Sequence, residues 1–150
     1  MSLVVSISMI MERKQVEAEI KKHCIPLLRK HRFKGAYPNL HKEQNGFVCL
    51  VNFQFYSAGG SFCVNLGYAD AARENVDYRP ETEVAKLLVS QTRNRARLGG
   101  HDNWFSFGST TYGELRGEPI PIAEIVRTVN GLIETEAMSW WEEKRAASQC

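Results

Sequence analysis

The spacing of apolar residues changes period along the chain, and each change marks an element. From Glu12, the positions Val16, Ile20, Cys24, Leu27, Leu28 and His31 recur every three to four residues, the stripe of a helix with one buried face. Pro26 falls inside the stripe. A proline there loses one backbone bond and crowds the preceding turn, so the spacing predicts a single helix to about Lys30, kinked around Lys22 to Cys24. From Tyr37 to Tyr68 the period is two, punctuated by Asn45-Gly46 and by Ser57 to Gly60, which predicts a three-stranded antiparallel meander. After a polar loop from Ala69 to Tyr78, Pro80 with Glu81 and Glu83 predicts the start of a middle helix. Its buried side is Val84, Leu87 and Leu88, and it ends between Arg93 and Gly99. Trp104 to Ser109 predicts a fourth strand. Beyond Pro119 and Pro121, helical spacing holds from Ile122 through Ile125, Val126, Val129, Leu132, Ile133 and Ala137 to Trp140 and Trp141.

The meander carries more detail than the rest. If Asn45-Gly46 is a two-residue hairpin turn, Gln44 faces Phe47; if the second loop spans Ser57 to Gly60, Tyr56 faces Ser61. That register puts Cys49, Val51, Phe53 and Phe55 beside Phe62, Val64, Leu66 and Tyr68, with Leu40 next to Val51, on a core face. The opposite face then holds Asn39, Asn52 and Asn65 in one row, Tyr37, Gln54 and Cys63 in the next, and His41, Leu50 and Gly67 in the one after.

The fold class expected is therefore α+β: an antiparallel meander sheet of about four strands packed by an N-terminal helix, a middle helix and a long C-terminal helix. A length of 150 residues suits one such domain over residues 11–144. Residues 1–10 are left as an extension, disordered or a short edge strand, and residues 145–150 as a frayed end. With 19 basic and 17 acidic residues the net charge of +2 does not by itself call for nucleic acid or an anionic membrane, so any anion site has to be local. The cysteines 24, 49, 63 and 150 lack the close pairing of zinc or redox motifs and are expected to be reduced. No basic residue precedes the apolar start and no small-x-small cleavage site follows it, so a cytoplasmic location is the default, with no membrane association expected.

Asn52-Phe53-Gln54, then Ser61 to Gly67 reading S-F-C-V-N-L-G, then an arginine-rich stretch ending Arg95-Ala96-Arg97-Leu98-Gly99 with Trp104 nearby, resemble the domain of unknown function 4304 family of small, mostly bacterial proteins. The likeness runs from about Glu12 to Trp141. Where that family has a glycine directly before Phe33, this chain has Arg32. The resemblance implies the same fold and brings no established activity or catalytic residue.

Candidate chemistry gathers in two places. Asn39, Asn52, Gln54 and Asn65, flanked by Tyr37 and His41, present amide donors and acceptors on rigid strands, an arrangement that can orient a polar ligand or peptide. The bland reading is a solvated sheet face. Arg93, Arg95 and Arg97 alternate, so on an extended segment they would share one side and could clamp a carboxylate or phosphate. On a helix they would fan out, and the bland reading is a solvated helix end.

Catalysis finds only His41 as a weak general-base candidate, because Cys49 points to the other face and Cys63 lies two rows away. No metal-ligand spacing or cofactor motif is present, and Gly59-Gly60 lacks the lysine and helix of a phosphate loop. The leading expectation is a non-catalytic binding module, of adaptor or immunity type, recognising a protein partner or small anionic ligand in preference to nucleic acid. A homodimer is left open. The alternatives are a small enzyme acting on a polar or phosphorylated metabolite through His41, and a nucleic-acid binder using the arginines. One of the paired tryptophans, Trp140 or Trp141, is expected at a partner surface, since neighbouring helix positions diverge.

Overall fold

The computed structural model describes residues 12–57, 59–108 and 119–149. The N-terminal extension, residues 1–10, and Ser109 at the end of the expected fourth strand lie outside the described residues. Helix α1 (Arg13–Lys30) runs without interruption through Pro26 and buries Val16, Ile20, Cys24 and Leu28, the stripe read from the sequence. Gln15 accepts a hydrogen bond from the Glu12 backbone N–H at 2.9 Å, tying the first turn. At the other end the Phe33 N–H donates to the Leu28 carbonyl, and Arg32 takes the left-handed conformation with φ 72°. That position favours glycine, the residue the family resemblance has there.

The sheet is antiparallel throughout. β1 (Lys34–Ala36), β2 (Asn39–Gln44), β3 (Phe47–Phe55), β4 (Ser61–Ala69) and β5 (Ala96–Arg97) lie in that order, and β6 (Phe105–Ser106) also pairs with β4. Gln44 faces Phe47 and Asn39, Asn52 and Asn65 align, as the two turns require. Tyr56 donates its backbone N–H to the Ser61 carbonyl at 2.9 Å. The described strands number six where about four are expected. The two extra ones, β1 and β5, are too short for any periodicity to show.

Two long helices cover the core face. The C-terminal one consists of α2 (Ile122–Leu132), a wider π turn (Ile133–Ala137) and α3 (Met138–Ser148). The helix continues past Arg145, where the sequence pattern fades. The wide turn keeps Ile133, Ala137 and Trp141 on one buried line although they are four residues apart. Trp141 is buried, stacks at a tilt on Phe33 at 5.1 Å and donates its indole N–H to the Gly67 carbonyl at 2.8 Å. Trp140 lies edge-on to Tyr68 at 5.7 Å and is only partly buried against the core, so the two neighbouring tryptophans diverge.

The expected middle helix does not form. Residues 70–95 cross the opposite sheet face as an irregular strap containing two single turns, Val84–Lys86 and Val89–Gln91. The caps Leu87 (ψ 135°) and Leu88 (ψ 150°) are extended, which breaks helical continuity. Side chains replace the missing helical bonds. Buried Asn75 donates to the Tyr68 carbonyl and accepts from the Asp70 N–H. Gln91 donates to the Tyr78 carbonyl and accepts from the Leu88 N–H. Arg73 donates to the carbonyls of Pro80 and Thr82. Of the apolar residues that suggest a helix, Leu87 joins a second small core, in which Val76, Leu87 and Val89 seat on Val48, Leu50 and Ala69; Val84 packs at its edge and Leu88 is exposed.

Alternate residues of β3 explain where the strap sits. On this face the strand reads Val48, Leu50, Asn52, Gln54, apolar at one end and amide at the other. The strap covers the apolar half because burying it is favourable, and burying unpaired amides would be costly. Gly67 allows the closest approach: a β-carbon there would lie 3.0 Å from the Thr92 hydroxyl and 3.2 Å from a Val89 methyl.

Candidate functional site

The amide half of the face is the floor of an open cleft of about 750 Å³. Asn39, Asn52, Gln54 and Asn65 form the floor; Leu88, Val89 and Ser90 of the strap form one wall; Arg95 to Arg97, Gly100 and His101 form the other. The strap thus roofs the apolar half of the face and leaves the amide half open, walled on two sides. Of the arginine segment only Ala96–Arg97 is a strand, with Arg97 opposite Asn65 and Ala96 opposite Leu66, while Arg93 and Asn94 lie in a bend; the expected helix end is not formed.

Pairing across β2, β3, β4 and β5 places Asn39, Asn52, Asn65 and Arg97 in a single row. Neighbouring strands are about 4.8 Å apart, close enough for each side chain to reach the next. Arg97 donates from Nε to Asn65 Oδ1 at 3.4 Å. Asn65 donates from Nδ2 to Asn52 Oδ1 at 3.0 Å and to Gln54 Oε1 at 2.9 Å. Asn52 donates to Asn39 Oδ1 at 2.8 Å. A guanidinium has donors only, so it fixes the orientation of Asn65, and through it every amide in the row.

The consequence is a surplus of donors. All four floor amide oxygens accept a bond within the network. The N–H groups of Asn39 and Gln54 and the terminal nitrogens of Arg97 carry no intramolecular bond among the described residues. No carboxylate lines the cleft. Arg97 is held from behind by Trp104, whose ring centroid is 5.0 Å from the guanidinium carbon. Gly99, at φ 86°, lets the chain turn back beneath it, its N–H donating to Glu136 on the π turn at 2.7 Å.

Three candidate residues lie elsewhere. The β1–β2 pairing ends at Ala36 and Asn39, so Tyr37 sits in the connecting turn and its ring goes to the core face, 5.6 Å from Phe53. Its hydroxyl donates to Glu17 at 2.9 Å; burial and that carboxylate push its pKa up. Arg93 is committed to the strap, bonding Asp77 at 3.0 Å and the Glu74 carbonyl at 2.9 Å. His41 is on the correct face but lines a separate depression with Arg32 and Lys34. Burial and the Lys34 charge lower its pKa.

Leu88, Val89, Ser90, Gly100 and His101 border the cleft without having been candidates, since nothing in their sequence pattern shows that the strap folds back. Cys63 is buried beside the floor, with Sγ 3.7 Å from Asn65 Oδ1, and burial raises its pKa. Cys24 and Cys49 are pushed up to about 12 by burial. All three thiols are unpaired. Among the described residues, no three His, Cys, Asp or Glu side chains are grouped to hold a metal ion, and no helix is long and apolar enough to cross a membrane.

A family model described as a domain of unknown function, DUF4304, matches residues 24–143. The chain belongs to the DUF4304 family. Neither a curated protein nor a solved structure matches it. The matched span includes every described strand and the cleft, and family membership leaves the function unknown.

Proposed function

We propose that this DUF4304 protein is a non-catalytic binding module whose cleft takes an oxygen-rich anion: a small carboxylate or phosphate compound, or an acidic side chain of a protein partner. The one-directional row from Arg97 to Asn39 carries this reading. Each floor oxygen already accepts an internal bond while N–H groups and the Arg97 charge are left over, which suits a ligand that accepts hydrogen bonds and disfavours a cationic or donor-rich one. The floor amides stand on paired strands and are held by one another, so little side-chain entropy remains to be lost on binding. The unpaired thiols support a reducing, cytoplasmic setting.

The test is a thermal-shift screen with citrate, inorganic phosphate, pyrophosphate, spermidine and a short single-stranded DNA, using the protein and Arg97→Gln. A rise in Tm with a small anion, lost in the variant, supports the proposal. No response to any anion, or an equal response in the variant, refutes it. A response to DNA alone that collapses with salt favours the nucleic-acid alternative.

A further inference from the structure

The depression containing His41 is built separately from the amide cleft. It measures about 660 Å³ and is bordered by Arg32, Lys34, His41, Lys42, Glu43 and Gln44, with Val84 and Ala85 of the strap closing one side. Its cations come from the end of α1, from β1 and from β2. Lys34 and His41 are directly opposed across the β1–β2 ladder, so their side chains rise from the same face. Arg29 fixes the backbone between them, donating to the carbonyls of Phe33 at 3.2 Å and Gly35 at 2.5 Å. Neither Arg32 nor Lys34 has an ion-pair partner among the described residues.

Arg32 is the second observation. It occupies a left-handed backbone position at φ 72°, where glycine would be free of strain. Arg73, at φ 60°, also accepts that cost, but its guanidinium bonds two strap carbonyls and so serves the fold. The Arg32 side chain makes no comparable bond and borders the depression instead. The left-handed turn at Arg32 closes α1, with the Phe33 N–H on the Leu28 carbonyl, and leaves the guanidinium at the edge of the depression.

We infer that Arg32, Lys34 and His41 form a second anion site, for a phosphate-type dianion such as pyrophosphate. In the free protein burial and the Lys34 charge lower the His41 pKa, with Glu43 opposing them and Arg29 adding to the effect; the strap contributes no titratable group to the lining. A bound dianion reverses the balance, because negative charge favours the imidazolium, and binding takes up a proton at His41. At fixed ligand charge, affinity therefore rises as the pH is lowered through the His41 transition.

The experiment is an NMR titration of the histidine imidazoles between pH 5 and 8, with and without pyrophosphate, the His41 signal being assigned by His41→Gln. The His41 pKa is expected to rise with pyrophosphate. Arg32→Gly combined with Lys34→Gln should weaken that response about tenfold, as expected for losing charge-assisted bonds, while Arg97→Gln leaves it intact. Arg32→Gly relieves the backbone and should itself raise Tm, so loss of binding cannot be ascribed to misfolding. A His41 pKa unmoved by millimolar pyrophosphate, or moved equally in the double variant, overturns the site. Either result is independent of the cleft, which is reported by Arg97.

Discussion

Replacing Asn65 by aspartate tests the donor surplus with little change in shape. Asn65 is the hub of the row, accepting from Arg97 and donating to Asn52 and Gln54. A carboxylate accepts from Arg97 but has nothing to donate, so Asn52 and Gln54 must turn their N–H groups inward and the polarity of the floor reverses. At the 3.4 Å separation of Arg97 Nε and the side-chain oxygen, the attraction is on the order of 5 kcal/mol for an effective dielectric near 20. Both residues are half-exposed, and screening leaves about 1–2 kcal/mol. An incoming anion loses that much of Arg97, so its affinity falls about five- to thirtyfold.

The assay is thermal shift with the anion that gives the largest response in the screen. At 100 times Kd, bound ligand adds about 2.7 kcal/mol to the stability. For a chain of this length that is a rise of roughly 5–10 °C. A tenfold weaker variant gains about 1.4 kcal/mol at the same concentration, halving the rise. Unliganded Asn65→Asp should unfold within a few degrees of the parent, because the site is open to water. An undiminished shift in this variant refutes the argument that consumed acceptors and a free Arg97 define the cleft.

Gly67→Val should be destabilising by about 1–3 kcal/mol, an overpacking cost, because the new side chain meets Thr92 and Val89 at 3.0–3.3 Å. Urea denaturation measures it, and anion binding should fall in parallel as the strap wall is displaced; unchanged stability would mean that the strap is not seated there. In a Cys150→Ser background, the native protein should react very slowly with a thiol reagent at pH 8. Thiols whose pKa is pushed to about 12, as at Cys24 and Cys49, are ionised to about one part in ten thousand, and rapid labelling of the folded state would contradict their burial.

The parts of the fold legible in sequence are those fixed by local rules. Asn45-Gly46 and the Ser57 to Gly60 loop set the register by counting, and the row of asparagines follows from it. The α1 and C-terminal stripes reflect the helical period directly. The strap is not legible because Val84, Leu87 and Leu88 match helical spacing, whereas tertiary contacts with Val48 and Leu50 decide its course. Arg97 could not be added to the row in advance, since a two-residue strand has no period. Tyr37 satisfied the counting rule yet left the face, because its strand ends in a turn two residues before Asn39.

The division of the sheet face follows from the sequence of β3 alone, and it links fold to site. Had position 52 or 54 been apolar, the strap could have settled further along and filled the cleft. Because those positions are amides, covering them with Leu88 or Val89 would leave N–H groups unpaired, at a cost of about 1–3 kcal/mol each. The same groups that hold the strap back are those left over for a ligand. The internal row satisfies their oxygens, which makes the open floor stable in the absence of ligand, and leaves the N–H groups to be satisfied by water or by an anion. Rigid strands fix the spacing of these donors, and Arg97, anchored by Trp104, supplies the charge that distinguishes an anion from water. Specificity in this cleft therefore resides in the direction of its hydrogen bonds, a property that substitution at Asn65 can reverse without rebuilding the pocket.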